Sequence, residues 1–175
     1  MSKPHSRSVA GRLAALALLL PAAVPSAASA GVLEDLRGRW AASAGGPAVM
    51  EWTTSSDGFG LSWTPAGGAP TTTTFSSAGR PNVYAGAAKA GWSVMGAMFG
   101  DDGPVNPLKS GTLYWARTGD DAVYVYSLAI DDQGAFILDR YAYRPEQGGL
   151  AVAMVRRTAS GSEAPQEQKL VRIGQ

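Results

Sequence analysis

From residue 37 onward, short runs rich in Val, Ile, Thr, Trp and Tyr alternate with clusters of Gly, Asp and Pro. That pattern predicts an all-β chain. Strands are expected over residues 37–42, 48–55, 59–64, 71–77, 92–99, 112–117, 122–130, 135–143, 150–158 and 169–173. Turn signals lie between them, among them Gly45-Gly46-Pro47, Asp57-Gly58, Gly67-Gly68, Gly119-Asp120-Asp121 and Asp131-Asp132-Gln133-Gly134. Loops this short join antiparallel neighbours, since a parallel crossover needs a dozen or more residues. The expected architecture is an antiparallel meander closed into a β-barrel, with a β-sandwich as the alternative.

A two-residue Asp57-Gly58 turn would set Thr54 opposite Leu61 and Trp52 opposite Trp63. Met50, Trp52, Thr54, Phe59, Leu61 and Trp63 then share a buried face, while Val49, Glu51, Thr53, Gly60, Ser62 and Thr64 share a wet one. In the later hairpin, Tyr124 and Tyr126 alternate with Val123 and Val125, and Asp139, Tyr141 and Tyr143 alternate with Leu138, Arg140 and Ala142. Both faces are largely apolar. If the four tyrosines and Asp139 share a face, they fit the inner side of a barrel wall that lines a cavity. The other reading puts the tyrosines at the surface or at the rim of a filled core, hydroxyls in water.

Two stretches fall outside the meander, residues 79–91 and 100–111, and both read as long loops that could flank a barrel entrance or simply face solvent. Residues 159–168 form a polar segment before the last strand. Arg156-Arg157 reads as one inward and one outward residue of a strand.

Composition narrows the chemistry. The chain has no cysteine, and its one histidine, His5, precedes the barrel region. The first 30 residues have the layout of a secretory signal: Lys3, Arg7 and Arg12, an apolar stretch from Leu13 to Val24, and Ala28-Ser29-Ala30 as the cleavage site. Residues 31–175 would then be one domain, periplasmic or secreted, with no stable membrane anchor because the apolar run is short and broken by Pro21 and Pro25. Removing the signal takes away three basic residues and leaves twelve against fourteen acidic ones, a net charge of −2. No nucleic-acid partner is expected of such a surface.

Leu36-Arg37-Gly38-Arg39-Trp40 places Gly-x-Trp at the start of the first expected strand, ahead of a run of antiparallel strands. In this the chain resembles the calycin barrels: the lipocalins, their exported bacterial lipocalin-like relatives and, more distantly, avidin. The resemblance implies an up-and-down barrel of about eight to ten strands. It also implies that Trp40 plugs the closed end under an arginine from a late strand, with Arg140 foremost and Arg156 and Arg172 the other candidates. The turn motif that lipocalins carry after their first hairpins is not recognisable here. Five tryptophans, Trp40, Trp52, Trp63, Trp92 and Trp115, can wall a pocket or fill a small core.

Catalytic motifs are missing: there is no Gly-x-Ser-x-Gly elbow, no phosphate loop and no Ser-x-x-Lys. Asp101, Asp102 and Asn106 lack the ligand spacing of a calcium loop. No cofactor or metal is implied, and the balance leans away from an enzyme. The leading expectation is an exported protein that holds a small apolar or amphipathic ligand, with Trp52, Trp63, Tyr124, Tyr126, Asp139, Tyr141 and Tyr143 as the ligand-binding set. The alternatives are a ligand-free envelope module that meets a protein partner and, less favoured, an acid–base enzyme using Asp139 with a tyrosine.

Overall fold

The structure is a computed structural model that describes residues 27–42, 48–89 and 111–174. The expected strand at 92–99 and the residues Trp92, Asp101, Asp102 and Asn106 lie outside them. One helix, α1 (Ala27–Leu36), precedes β1 (Gly38–Ala42), β2 (Val49–Ser55), β3 (Gly58–Thr64), β4 (Thr71–Ser77) and β5 (Val83–Lys89). The chain continues through β6 (Thr112–Thr118), β7 (Val123–Ile130), β8 (Phe136–Glu146), β9 (Gly149–Thr158), β10 (Gly161–Ser162) and β11 (Gln166–Gly174). Each strand from β1 to β9 pairs antiparallel with the next, β9 pairs with β11, and β11 returns to β1. The result is a closed ten-strand antiparallel barrel, to which β10 adds only a short hairpin arm on β9. Closure leaves no free edge along the ring, which suits a chain without disulfides.

Helix α1 caps one end. Val32, Leu33 and Leu36 are buried against the barrel, and Thr54 Oγ1 donates to Glu34 Oε1 at 3.2 Å. Beneath the helix lies Trp40, 3% exposed, whose indole N–H donates to the Leu36 carbonyl at 2.7 Å. The Arg172 guanidinium stands 4.5 Å above the Trp40 ring and donates to the Asp35 carbonyl at 2.7 Å. The plug arrangement is therefore present with Arg172, not Arg140, as its cation. Arg140 pairs across β7 with Tyr126 and lies on the outer wall, so it cannot reach Trp40.

Above the plug an aromatic layer crosses the barrel. Phe59 stacks on Trp52 at 5.3 Å and on Phe75 at 4.7 Å, and meets Tyr84 edge-on at 5.2 Å, while Trp52 meets Tyr143 edge-on at 5.0 Å. Offset and edge-to-face contacts of this kind add to what area burial alone contributes. The layer has room because β5 presents Gly86, where a Cβ would come within 2.8 Å of the Phe75 ring and 2.6 Å of Tyr114 Cβ.

Several expectations need correction. The β2–β3 turn is Ser56-Asp57, with Ser55 opposite Gly58, Thr54 opposite Phe59 and Trp52 opposite Leu61. Gly58 is not a turn glycine but the first residue of β3, where the Phe75 carbonyl of β4 leaves no space for a side chain. Because the register moves by two residues, the assignment of faces is unchanged. Residues 83–89, expected in a loop, form β5; the helix at 27–36 was not expected; and β11 starts at Gln166, inside the expected polar segment.

A further correction concerns β7 and β8. Ile130 sits opposite Phe136, Ser127 opposite Asp139, Val125 opposite Tyr141 and Val123 opposite Tyr143. A three-residue loop sets this register: Asp131 N–H donates to the Ala135 carbonyl at 2.9 Å, Gly134 takes φ 80°, and Asp131 Oδ1 accepts from the amides of Gln133 and Ala135. Odd-numbered residues of the two strands therefore share a face. Asp139, Tyr141 and Tyr143 point inward with the valines, and Tyr124 and Tyr126 point outward.

Candidate ligand-binding cavity

Strand alternation decides which side chains reach the barrel interior beyond the aromatic layer. Met50, Leu61, Trp63 and Val152 supply apolar walls, while Thr71, Thr73, Tyr114, Tyr141, Tyr143 and Gln168 supply hydroxyls and an amide. Together they line a cavity of about 500 Å³. This falls in the range of small-molecule sites, which pair apolar walls with a few polar groups. The cavity lies on the side of the aromatic layer away from α1, and its most exposed lining residues, Trp63, Thr71 and Gln168, mark the outer rim.

Of the expected set, Trp63, Tyr141 and Tyr143 line this cavity, the two tyrosine rings lying 6.2 Å apart and nearly parallel. Trp52 is 1% exposed, locked in the aromatic layer below. Tyr124 and Tyr126 are on the outer wall, where Tyr126 stacks flat on Trp115 at 5.0 Å. Asp139 points inward but does not line the cavity: Arg156 Nε and Nη2 donate to its two carboxylate oxygens at 2.8 and 2.9 Å. A fork-on-fork pair of this kind fixes both side chains. Arg157, the next residue, faces out beside Arg140, Leu138 and Tyr126.

Met50, Leu61, Thr71, Thr73, Tyr114, Val152 and Gln168 were not in the expected set. Met50 and Leu61 were legible as inward residues of the first hairpin. Gln168 was hidden because β11 inverts the usual pattern: Gln166 and Gln168 turn inward near the rim, while Val171 and Ile173, toward the plugged end, are exposed on the outside.

The electrostatics follow from burial. Burial, then the Asp139 carboxylate, raises the Tyr141 phenol above its ordinary value. Burial, reinforced by Tyr141, raises Tyr143 much further. The hydrogen bonds that Arg156 donates to Asp139, and then the carboxylate's charge, raise Arg156 above its ordinary value. For Tyr143 the folded state holds its proton where the unfolded chain has lost it. Its contribution to stability is full below pH ~10 and declines as the pH rises further. In Tyr143→Phe the alkaline loss of stability should shrink by about 1.4 kcal/mol in total between about pH 9 and 11, the slope difference nearing one proton only at the upper end, as followed by urea unfolding. An unchanged slope would place the Tyr143 hydroxyl in water.

No group of three or more His, Cys, Asp or Glu residues that could hold a metal occurs among the described residues. No described helix is long and apolar enough to cross a membrane. Fold and site together define a closed antiparallel barrel with one end plugged by a helix and an indole, and with a cavity on the other side of an aromatic layer. Comparison with protein-family models, with curated proteins and with solved structures finds no match.

Proposed function

We propose that this chain is a lipocalin-like carrier, exported to the periplasm or secreted, that holds a small apolar or amphipathic molecule inside its barrel. The observation that carries this reading is the cavity of about 500 Å³ with four apolar and six hydrogen-bonding residues in its wall. The Trp40–Arg172 plug supports the calycin-like part of it, since a plugged end is what a one-mouthed container requires. Both oxygens of Asp139 are engaged by Arg156, an arrangement that favours a structural ion pair over a proton-transfer base.

The test is native mass spectrometry on protein recovered from its own cells without denaturation. An adduct on the order of a few hundred daltons is expected, and it should be lost in Thr73→Phe, which puts a ring into the cavity from β4. A bare polypeptide mass in the parent, together with no uptake of added apolar probes, would remove the carrier reading. One observation favours a second reading: Trp115 and Tyr126 stack on the outer wall with Tyr124 on the same face, an aromatic strip suited to an envelope protein partner.

A further inference from the structure

Among the described residues the inner wall carries almost no charge. None of the ten cavity residues is Asp, Glu, Lys, Arg or His. Among the described strands, register places only three charged side chains on the inner face: Arg172 over the Trp40 plug, and Asp139 with Arg156 one strand position beyond Tyr141 and Met154. The last two lie between the cavity and the barrel end opposite α1. Asp139 is 7% exposed, and it occupies two of the Arg156 donors in a planar fork. A carboxylate or sulfonate entering this barrel would shed its water and find no free cation among the described residues beside the cavity, while the Asp139 charge would oppose it.

We propose that Asp139 is a specificity-determining residue: by cancelling Arg156 it restricts the cavity to uncharged ligands, such as flat or ring-bearing molecules with hydroxyl or carbonyl groups, and excludes carboxylate-headed ones. The apolar walls of Leu61, Trp63 and Val152 take the hydrophobic body, and Thr73, Tyr114 and Tyr141 supply its hydrogen bonds. This rests on the carrier reading above. Without Asp139 the same geometry would offer Arg156 as a bidentate receptor for an anion.

A matched pair of fluorescent probes tests it on the full chain. N-phenyl-1-naphthylamine is neutral, and 1-anilinonaphthalene-8-sulfonate is the same skeleton with a sulfonate. The parent should bind the neutral probe at least about tenfold more tightly, with energy transfer from tryptophan and with loss of binding in Thr73→Phe. In Asp139→Asn the anionic probe should gain about tenfold relative to the neutral one, and in Asp139→Asn with Arg156→Gln the parent preference should return. The double variant separates charge from loss of the ion pair. The parent ratio needs no variant, so the inference stays exposed to failure if Asp139→Asn does not fold. Equal affinities in the parent, or a ratio that Asp139→Asn leaves unmoved, overturn the charge filter while leaving the carrier intact. Binding of neither probe, or binding that Thr73→Phe does not reduce, overturns both.

Discussion

Trp40→Ala should lower the unfolding free energy by about 3 to 5 kcal/mol, the range for truncating a buried large aromatic. Three losses combine at this position. The indole fills the space under α1 at 3% exposure, its N–H satisfies the Leu36 carbonyl at the helix end, and its face receives the Arg172 guanidinium. Trp40→Phe keeps most of the area and the aromatic face but removes the hydrogen bond, so it should recover more than half of the loss. Denaturant titration of the three proteins gives both numbers. A loss below about 1 kcal/mol for Trp40→Ala would show that the helix and plug do not close the barrel.

Gly58→Ala is the second large effect, expected at about 3 kcal/mol or more although only a methyl is added. A Cβ on Gly58 would fall on the Phe75 carbonyl oxygen, a backbone atom that cannot move without parting β3 from β4. Phe75 belongs to the aromatic layer, so the displacement would spread to Phe59 and Tyr84. Gly67 is the contrast: its φ is 67°, but nothing lies within 4 Å of an added Cβ, so Gly67→Ala meets only backbone strain of about 1 kcal/mol. If the two substitutions cost the same, close approach is not what Gly58 provides.

The barrel class was legible because most strands carry β-branched and aromatic residues between strong turn signals, and residues 71–77 were read with the bounds β4 has. β5 was not legible, and the reason is physical. Its sequence, Val-Tyr-Ala-Gly-Ala-Ala-Lys, is poor in strand-forming side chains because Phe75 and Tyr114 occupy the space beside it. Helix α1 was masked by its overlap with the apparent export signal. The site was half legible. Period-two alternation separates the two faces of each strand, but which face of β8 matches which face of β7 depends on a single loop residue. Counting Asp131-Asp132-Gln133-Gly134 as an undivided turn put Tyr124 and Tyr126 with Asp139; the Asp131 side chain and the left-handed Gly134 make it a three-residue loop and send them outside. The identity of the plug arginine needed the β11–β1 closure, a contact between Trp40 and Arg172 that no local pattern encodes.

The even number of strands in the ring has a practical side. β1 leaves the plugged end and β11 comes back to it, so that Arg39 and Gly174 are paired neighbours. A surface linker attached after β11 would therefore tether the protein by its stopper and turn the rim residues Trp63, Thr71 and Gln168 toward solution. Sensor chips and affinity resins loaded this way would display every molecule in one orientation, with the rim outward. The same adjacency makes the ring a natural subject for circular permutation: a linker from the end of β11 to the start of α1, which keeps the helix attached to β1, with a new opening at Ser56-Asp57, would alter the order of the strands along the chain and leave their order around the ring unchanged.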